Sequence, residues 1–155
     1  MLLRAIAMRS AVRRTWAGRA ALAVSVVLAV DGIAAQTARR SVWDGVYTEA
    51  QARQGAVLYA GHCATCHGEG MTGGEAVPAL LGASFNATWE GLSLADLFER
   101  MRTTMPPGKT GTVPRQGYAE ILSYMLQVAG MPPGQAALGN DRPSLADIAF
   151  LSSRP

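Results

Sequence analysis

The run Cys63-Ala64-Thr65-Cys66-His67 places two thiols and an imidazole on adjoining positions, and no other feature limits the fold of this chain so strongly. In a helical turn, positions i, i+3 and i+4 share one face. Both sulfurs and the ring of His67 therefore address the same side. A structural zinc site would need four N or S ligands, and beyond this run only His62 is left, which adjoins Cys63 and cannot easily close the same tetrahedron. A thioredoxin-like redox site would need flanking strands, and no segment alternates with period two. A plain disulfide would leave His67 without a role.

The spacing C-x-x-C-H is that of covalent haem attachment. Two thiols at i and i+3 can add to the vinyl groups on one edge of a porphyrin while the imidazole reaches the iron from below. One haem c is expected, bonded through Cys63 and Cys66, with His67 on its iron. In a small domain the covalently held ring also supplies apolar core. A haem explains a further feature: residues 68–91 hold six glycines and no sustained period, which reads as a long loop ordered by something other than secondary structure.

The first 35 residues read as a secretory signal peptide. Arg4, Arg9, Arg13, Arg14 and Arg19 precede an apolar run from Ala20 to Val30, and Gly32, Ala34 and Ala35 offer a processing site near Gln36. An uncleaved membrane anchor is the rival reading, opposed by Asp31 and Gly32, which end the run short of the roughly 20 residues a span needs. Arg13-Arg14 superficially matches a twin-arginine signal, but a haem attached after export requires an unfolded passenger. A periplasmic location follows. Without residues 1–35, 9 basic and 10 acidic side chains remain, so the formal charge of +3 becomes about −1. Nucleic acid and anionic lipid are thus not implied as partners.

The rest divides into a flexible lead-in at 36–45, a helical domain at 46–134 and a polar C-terminal tail at 135–155. The periodicity predicts three main helices and an all-α class. The first is capped by Thr48, with Gln51 at the capping-box position, and runs to about Ala60. The second follows Ser93, with Leu94, Leu97, Phe98 and Met101 on one face, and ends at Met105-Pro106-Pro107-Gly108. The third covers about Arg115 to Ala129, with Tyr118, Ile121, Leu122 and Met125 on its buried face. A further helical turn is expected near Leu145 to Phe150. Met-Pro-Pro-Gly occurs twice, at Met105 and Met131.

Over about residues 45–134 the sequence resembles a class I cytochrome c, whose fold wraps helices and long loops around one covalent haem. The resemblance rests on the C-x-x-C-H run, on Pro78-Ala79-Leu80, and on Gly55, Tyr59 and Tyr124 where the family crosses its N- and C-terminal helices. It implies that the Pro78 carbonyl accepts a hydrogen bond from His67 Nδ1. The stretch from Trp89 through Leu92-Ser93-Leu94-Ala95-Asp96-Leu97 to Gly108 is similar to cytochromes serving periplasmic quinoprotein dehydrogenases. Trp89 has two readings, a donor to a haem propionate or a core aromatic.

The distal ligand is expected to be Met105. Met71 lies too close to His67 to round the macrocycle, at about 14 Å of fully extended chain. Met101 and Met125 fall on apolar helix faces. Met131 is the rival, since the proline after each methionine favours extended backbone there; Met105 lies between the second and third helices, where the class I pattern puts its ligand loop. His/Met ligation implies an electron carrier with no open iron position, relaying electrons from a dehydrogenase to a terminal oxidase or another cytochrome. The alternative is a five-coordinate haem protein acting on peroxide or sensing a small gas. That would need distal donors, and His62 lies on the proximal side.

Overall fold

The computed structural model describes residues 39–155; the expected signal peptide lies outside them. Six helices form the body: α1 (Glu49–His62), α2 (Ala64–His67), α3 (Ala83–Trp89), α4 (Leu94–Thr104), α5 (Arg115–Val128) and α6 (Arg142–Ala146). The three main helices fall where periodicity puts them, and the class is all-α. Two short strands, β1 (Arg40–Ser41) and β2 (Ile148–Ala149), pair in parallel with Arg40 opposite Ile148.

The crossing of α1 and α5 organises the core. Gly55 faces the backbone of α5 so closely that a Cβ would overlap the Glu120 carbonyl, which makes any side chain there incompatible with the crossing. One turn further on, Tyr59 meets Tyr124 with ring centroids 5.6 Å apart. Leu94, Leu97 and Phe98 of α4 join Ile121, Leu122 and Leu126 of α5 in the same buried cluster.

Capping explains where the helices begin. Thr48 accepts from the Gln51 amide at 3.2 Å, as its sequence position suggests. The reciprocal half of the capping box is absent. Gln51 is buried and spends its amide group on Leu138 instead, donating from Nε2 to the Leu138 carbonyl at 2.9 Å and accepting from its N–H at 2.7 Å. A buried amide needs partners for both ends, and Leu138 supplies both. At α4, Ser93 accepts from the Asp96 amide and donates to its carboxylate at 2.7 Å.

Several expectations change on the structure. Residues 39–45 are ordered: Val42 is fully buried, and Trp43 Nε1 donates to the Leu151 carbonyl at 2.9 Å. The segment after Pro133 buries Leu138, Leu145, Ile148 and Phe150. Its helical turn falls at Arg142–Ala146, earlier than expected, because Asp141 caps it by accepting from the Ser144 amide. The glycine-rich stretch also contains a helix, α3, whose Phe85 packs edge-on against Phe150 at 5.8 Å.

Candidate functional site

The α1 helix delivers the C-x-x-C-H run. Cys63 closes α1, its amide bonded to the Tyr59 carbonyl, and serves in the same position as N-cap of the single-turn α2. Within that turn the Cys66 and His67 amides both return to the Cys63 carbonyl, at 3.1 and 2.9 Å. The two cysteines are unpaired, Cys63 half-buried and Cys66 exposed, while His67 is buried. Burial, with a smaller contribution from Cys66, pushes the Cys63 thiol up to about 11. Such a thiol stays protonated at neutral pH, which sets it apart from the low-pKa cysteines of redox-active pairs.

His67 Nδ1 lies 2.9 Å from the Pro78 carbonyl oxygen. A carbonyl can only accept, so Nδ1 carries the proton and the Nε2 lone pair is left for another partner. The segment between the two residues is built to make that contact. Gly73 N–H donates to the His67 carbonyl at 2.9 Å, Gly74 N–H to Val77 at 2.8 Å, and Leu80 N–H to Met71 at 2.9 Å. Gly73 sits at φ +69°, packed against the Pro78 turn. On the other side, Tyr59 donates its hydroxyl to the Gly68 carbonyl at 2.7 Å. Burial first, and then Cys63 and Tyr124, push that hydroxyl up to about 12, so it remains a donor.

The methionines separate by environment. Met71, Met125 and Met131 belong to the buried core and Met101 packs against it, whereas Met105 stands outside that cluster at the C-cap of α4. The Met105 carbonyl accepts from the Tyr118 hydroxyl at 2.6 Å. Trp89 ends α3, half-buried, with its ring 6.1 Å from Phe85. His62 is exposed at the end of α1. An apolar recess lined by Leu80, Leu81, Phe85, Leu97, Leu122 and Met125 lies beside these elements.

The donor set fits one covalently held haem: two unpaired thiols three positions apart, and a buried imidazole whose tautomer is fixed with Nε2 free. Sequence reasoning missed the tyrosine contacts. Tyr59 and Tyr118 fit helical periodicity as packing residues, and the carbonyls they reach lie 9 and 13 positions away, so no local pattern marks them. Arg102 is tied to Glu99 at 2.6 Å, and Glu99 also pairs with Arg115 at 3.2 Å.

Residues 50–125 match the family model described as cytochrome c oxidase, cbb3-type, subunit III. The matched stretch begins inside α1, ends inside α5, and takes in Cys63, Cys66, His67, Pro78, Trp89 and Met105. No curated protein and no solved structure gives a significant match to the chain.

Proposed function

Because this chain is a class I c-type cytochrome, we propose that it is a carrier of single electrons in which Cys63 and Cys66 hold one haem c, with His67 and Met105 on its iron. The observation that carries the reading is the His67–Pro78 contact, which leaves Nε2 as the metal-facing nitrogen. When bound, the haem supplies a one-electron couple between ferric and ferrous iron.

The chain's own residues then have distinct tasks. Cys63 and Cys66 tether the group through thioether bonds. Pro78 holds the His67 ring in orientation and, by accepting the Nδ1 proton's hydrogen bond, raises the basicity of the opposite nitrogen. Gly73 and Tyr59 fix the backbone on either side of that bond. Among the described residues, Met105 is the methionine that stands outside the core cluster, which favours it over Met131. Trp89 packs beside Phe85 at the edge of the core, as a core aromatic would, and its indole N–H would be the donor in the reading that assigns it to a haem propionate.

The protein works in the periplasm after removal of residues 1–35. No helix among the described residues is long and apolar enough to cross a membrane. Its electrons come from a dehydrogenase, a quinoprotein in our reading, and pass to a terminal oxidase or another cytochrome; the oxidase named in the matching family's description supports that acceptor class. A net charge near −1 and arginines already paired on the surface predict weak electrostatic steering between partners.

Substitution of the two rival methionines tests the ligand set. Met105→Ala should abolish the long-wavelength absorption of sulfur bound to ferric iron and open the iron to added ligands, whereas Met131→Ala should leave both unchanged. The reverse result would move the ligand role to Met131.

A further inference from the structure

We propose that Tyr118 is a positioning residue: its hydroxyl fixes the backbone from which Met105 presents its thioether to the haem iron. The proposal rests on the reading of Met105 as an axial ligand and adds to it the group that holds the ligand loop. Tyr118 is buried on α5, its ring edge-on to Phe98 of α4 with centroids 6.5 Å apart. From there the side chain reaches past the end of α4, and its hydroxyl donates to the Met105 carbonyl at 2.6 Å.

The position of that carbonyl gives the bond its importance. Met105 is the C-cap of α4, and carbonyls at a helix C-terminus lack intrahelical donors. The Tyr118 hydroxyl supplies the missing donor from a neighbouring helix. Beyond Met105 the loop carries its own turns, with Lys109 N–H on the Pro106 carbonyl at 3.0 Å and Thr112 N–H on the Lys109 carbonyl at 3.2 Å. Braced by these turns and tied to α5 at Met105, the segment can hold a thioether in one place. Phenylalanine at 118 would keep the ring packing and remove the bond.

The molecule contains an internal control. At the second Met-Pro-Pro-Gly, Tyr47 donates its hydroxyl to the Met131 carbonyl, also at 2.6 Å and buried. The chemistry is the same, but the Met131 side chain is enclosed in the core at 4% exposure. Loss of the Tyr47 bond should therefore weaken the fold without reaching the iron.

The test uses the holoprotein and three variants: Tyr118→Phe, Tyr47→Phe and Met105→Ala. Two properties of the ferric form are read, the sulfur-to-iron absorption and the affinity for added imidazole, which competes with the thioether. Tyr118→Phe should weaken the absorption and raise imidazole affinity about 3- to 10-fold, the factor that one net neutral hydrogen bond supplies. Tyr47→Phe should change neither, although its midpoint in denaturant falls. If Tyr118→Phe keeps the parent's absorption and imidazole affinity while Met105→Ala loses the absorption, Tyr118 only packs; the positioning role is overturned and the Met105 reading survives. If both tyrosine variants raise the affinity alike, the effect is general loosening, and the role is again overturned. Retention of the absorption in Met105→Ala would overturn the ligand reading itself.

Discussion

Gly73→Ala is the sharpest way to ask whether the Pro78 carbonyl tunes the histidine. At φ +69° an L side chain costs roughly 1–2 kcal/mol. The added Cβ would also lie 2.6 Å from the Ala79 nitrogen and 2.7 Å from the Pro78 carbonyl carbon, and would overlap the Val77 carbonyl oxygen. These are backbone atoms and cannot rotate aside, so the turn carrying Pro78 must shift. Overpacking of that kind costs typically about 1–3 kcal/mol. The two effects together predict a loss of about 2–5 kcal/mol in the stability of the holoprotein, read from chemical denaturation. The functional consequence is separate. A displaced Pro78 carbonyl weakens the 2.9 Å contact with His67 Nδ1, and a less basic imidazole stabilises ferric iron less. If the bond favours the ferric form by roughly 0.5–1 kcal/mol, the reduction potential should rise by about 20–40 mV, at 59 mV per tenfold for one electron. Gly74→Ala is the matched control, since a Cβ there meets nothing within 4 Å. Should Gly73→Ala lose stability yet keep the parent's potential, the Pro78 carbonyl would not be tuning the ligand. Identical behaviour of the two variants in both assays would refute the geometric argument altogether.

Two further outcomes follow from the same picture. Replacing Cys63 and Cys66 together by Ala should cost ordered structure as well as colour, because the stretch after His67 has little periodic apolar pattern of its own; circular dichroism unchanged from the parent would contradict this. Acid should destabilise the α4 surface. Asp96 is held below its ordinary value of 3.8, chiefly by the Ser93 hydroxyl and then by Arg142, and Glu99 below 4.5, chiefly by Arg102. Carboxylates with depressed folded-state values contribute stability above their ordinary range and lose it as pH falls through the folded value. Denaturation midpoints should thus decline below about pH 4 in the parent, and less steeply in Asp96→Asn or Glu99→Gln.

The parts of the molecule that could be read in advance are those carried by local pattern. Cys63, Cys66 and His67 stand at fixed helical spacing, Thr48 and Ser93 announce their helices, and α4 and α5 follow their apolar residues. The parts that could not be read depend on distant partners. α3 begins at Gly82 with no side-chain cap, inside a stretch rich in glycine, and is held by Phe85 against Phe150. The polar composition after Pro133 concealed a few apolar residues whose burial depends on Arg40–Ser41 pairing with Ile148–Ala149, more than 100 positions away. Gln51 looked like half of a capping box, yet a buried amide binds whatever satisfies both its ends, and Leu138 does so. The Tyr118 clamp on Met105 was hidden for a similar reason, since a tyrosine on an apolar helix face gives no sign of what its hydroxyl will reach.

An iron closed on both sides by His67 and Met105 would exchange electrons alone. Potentiometric titration of the purified holoprotein, followed through its visible spectrum with and without carbon monoxide, addresses this closure directly. A ligand that binds only one redox state shifts the midpoint by mass action. A closed His67/Met105 iron predicts one reversible one-electron transition with the same midpoint under both conditions. A midpoint that rises with carbon monoxide, together with a rapid and complete change in the reduced spectrum, would show an open iron position and contradict the carrier reading.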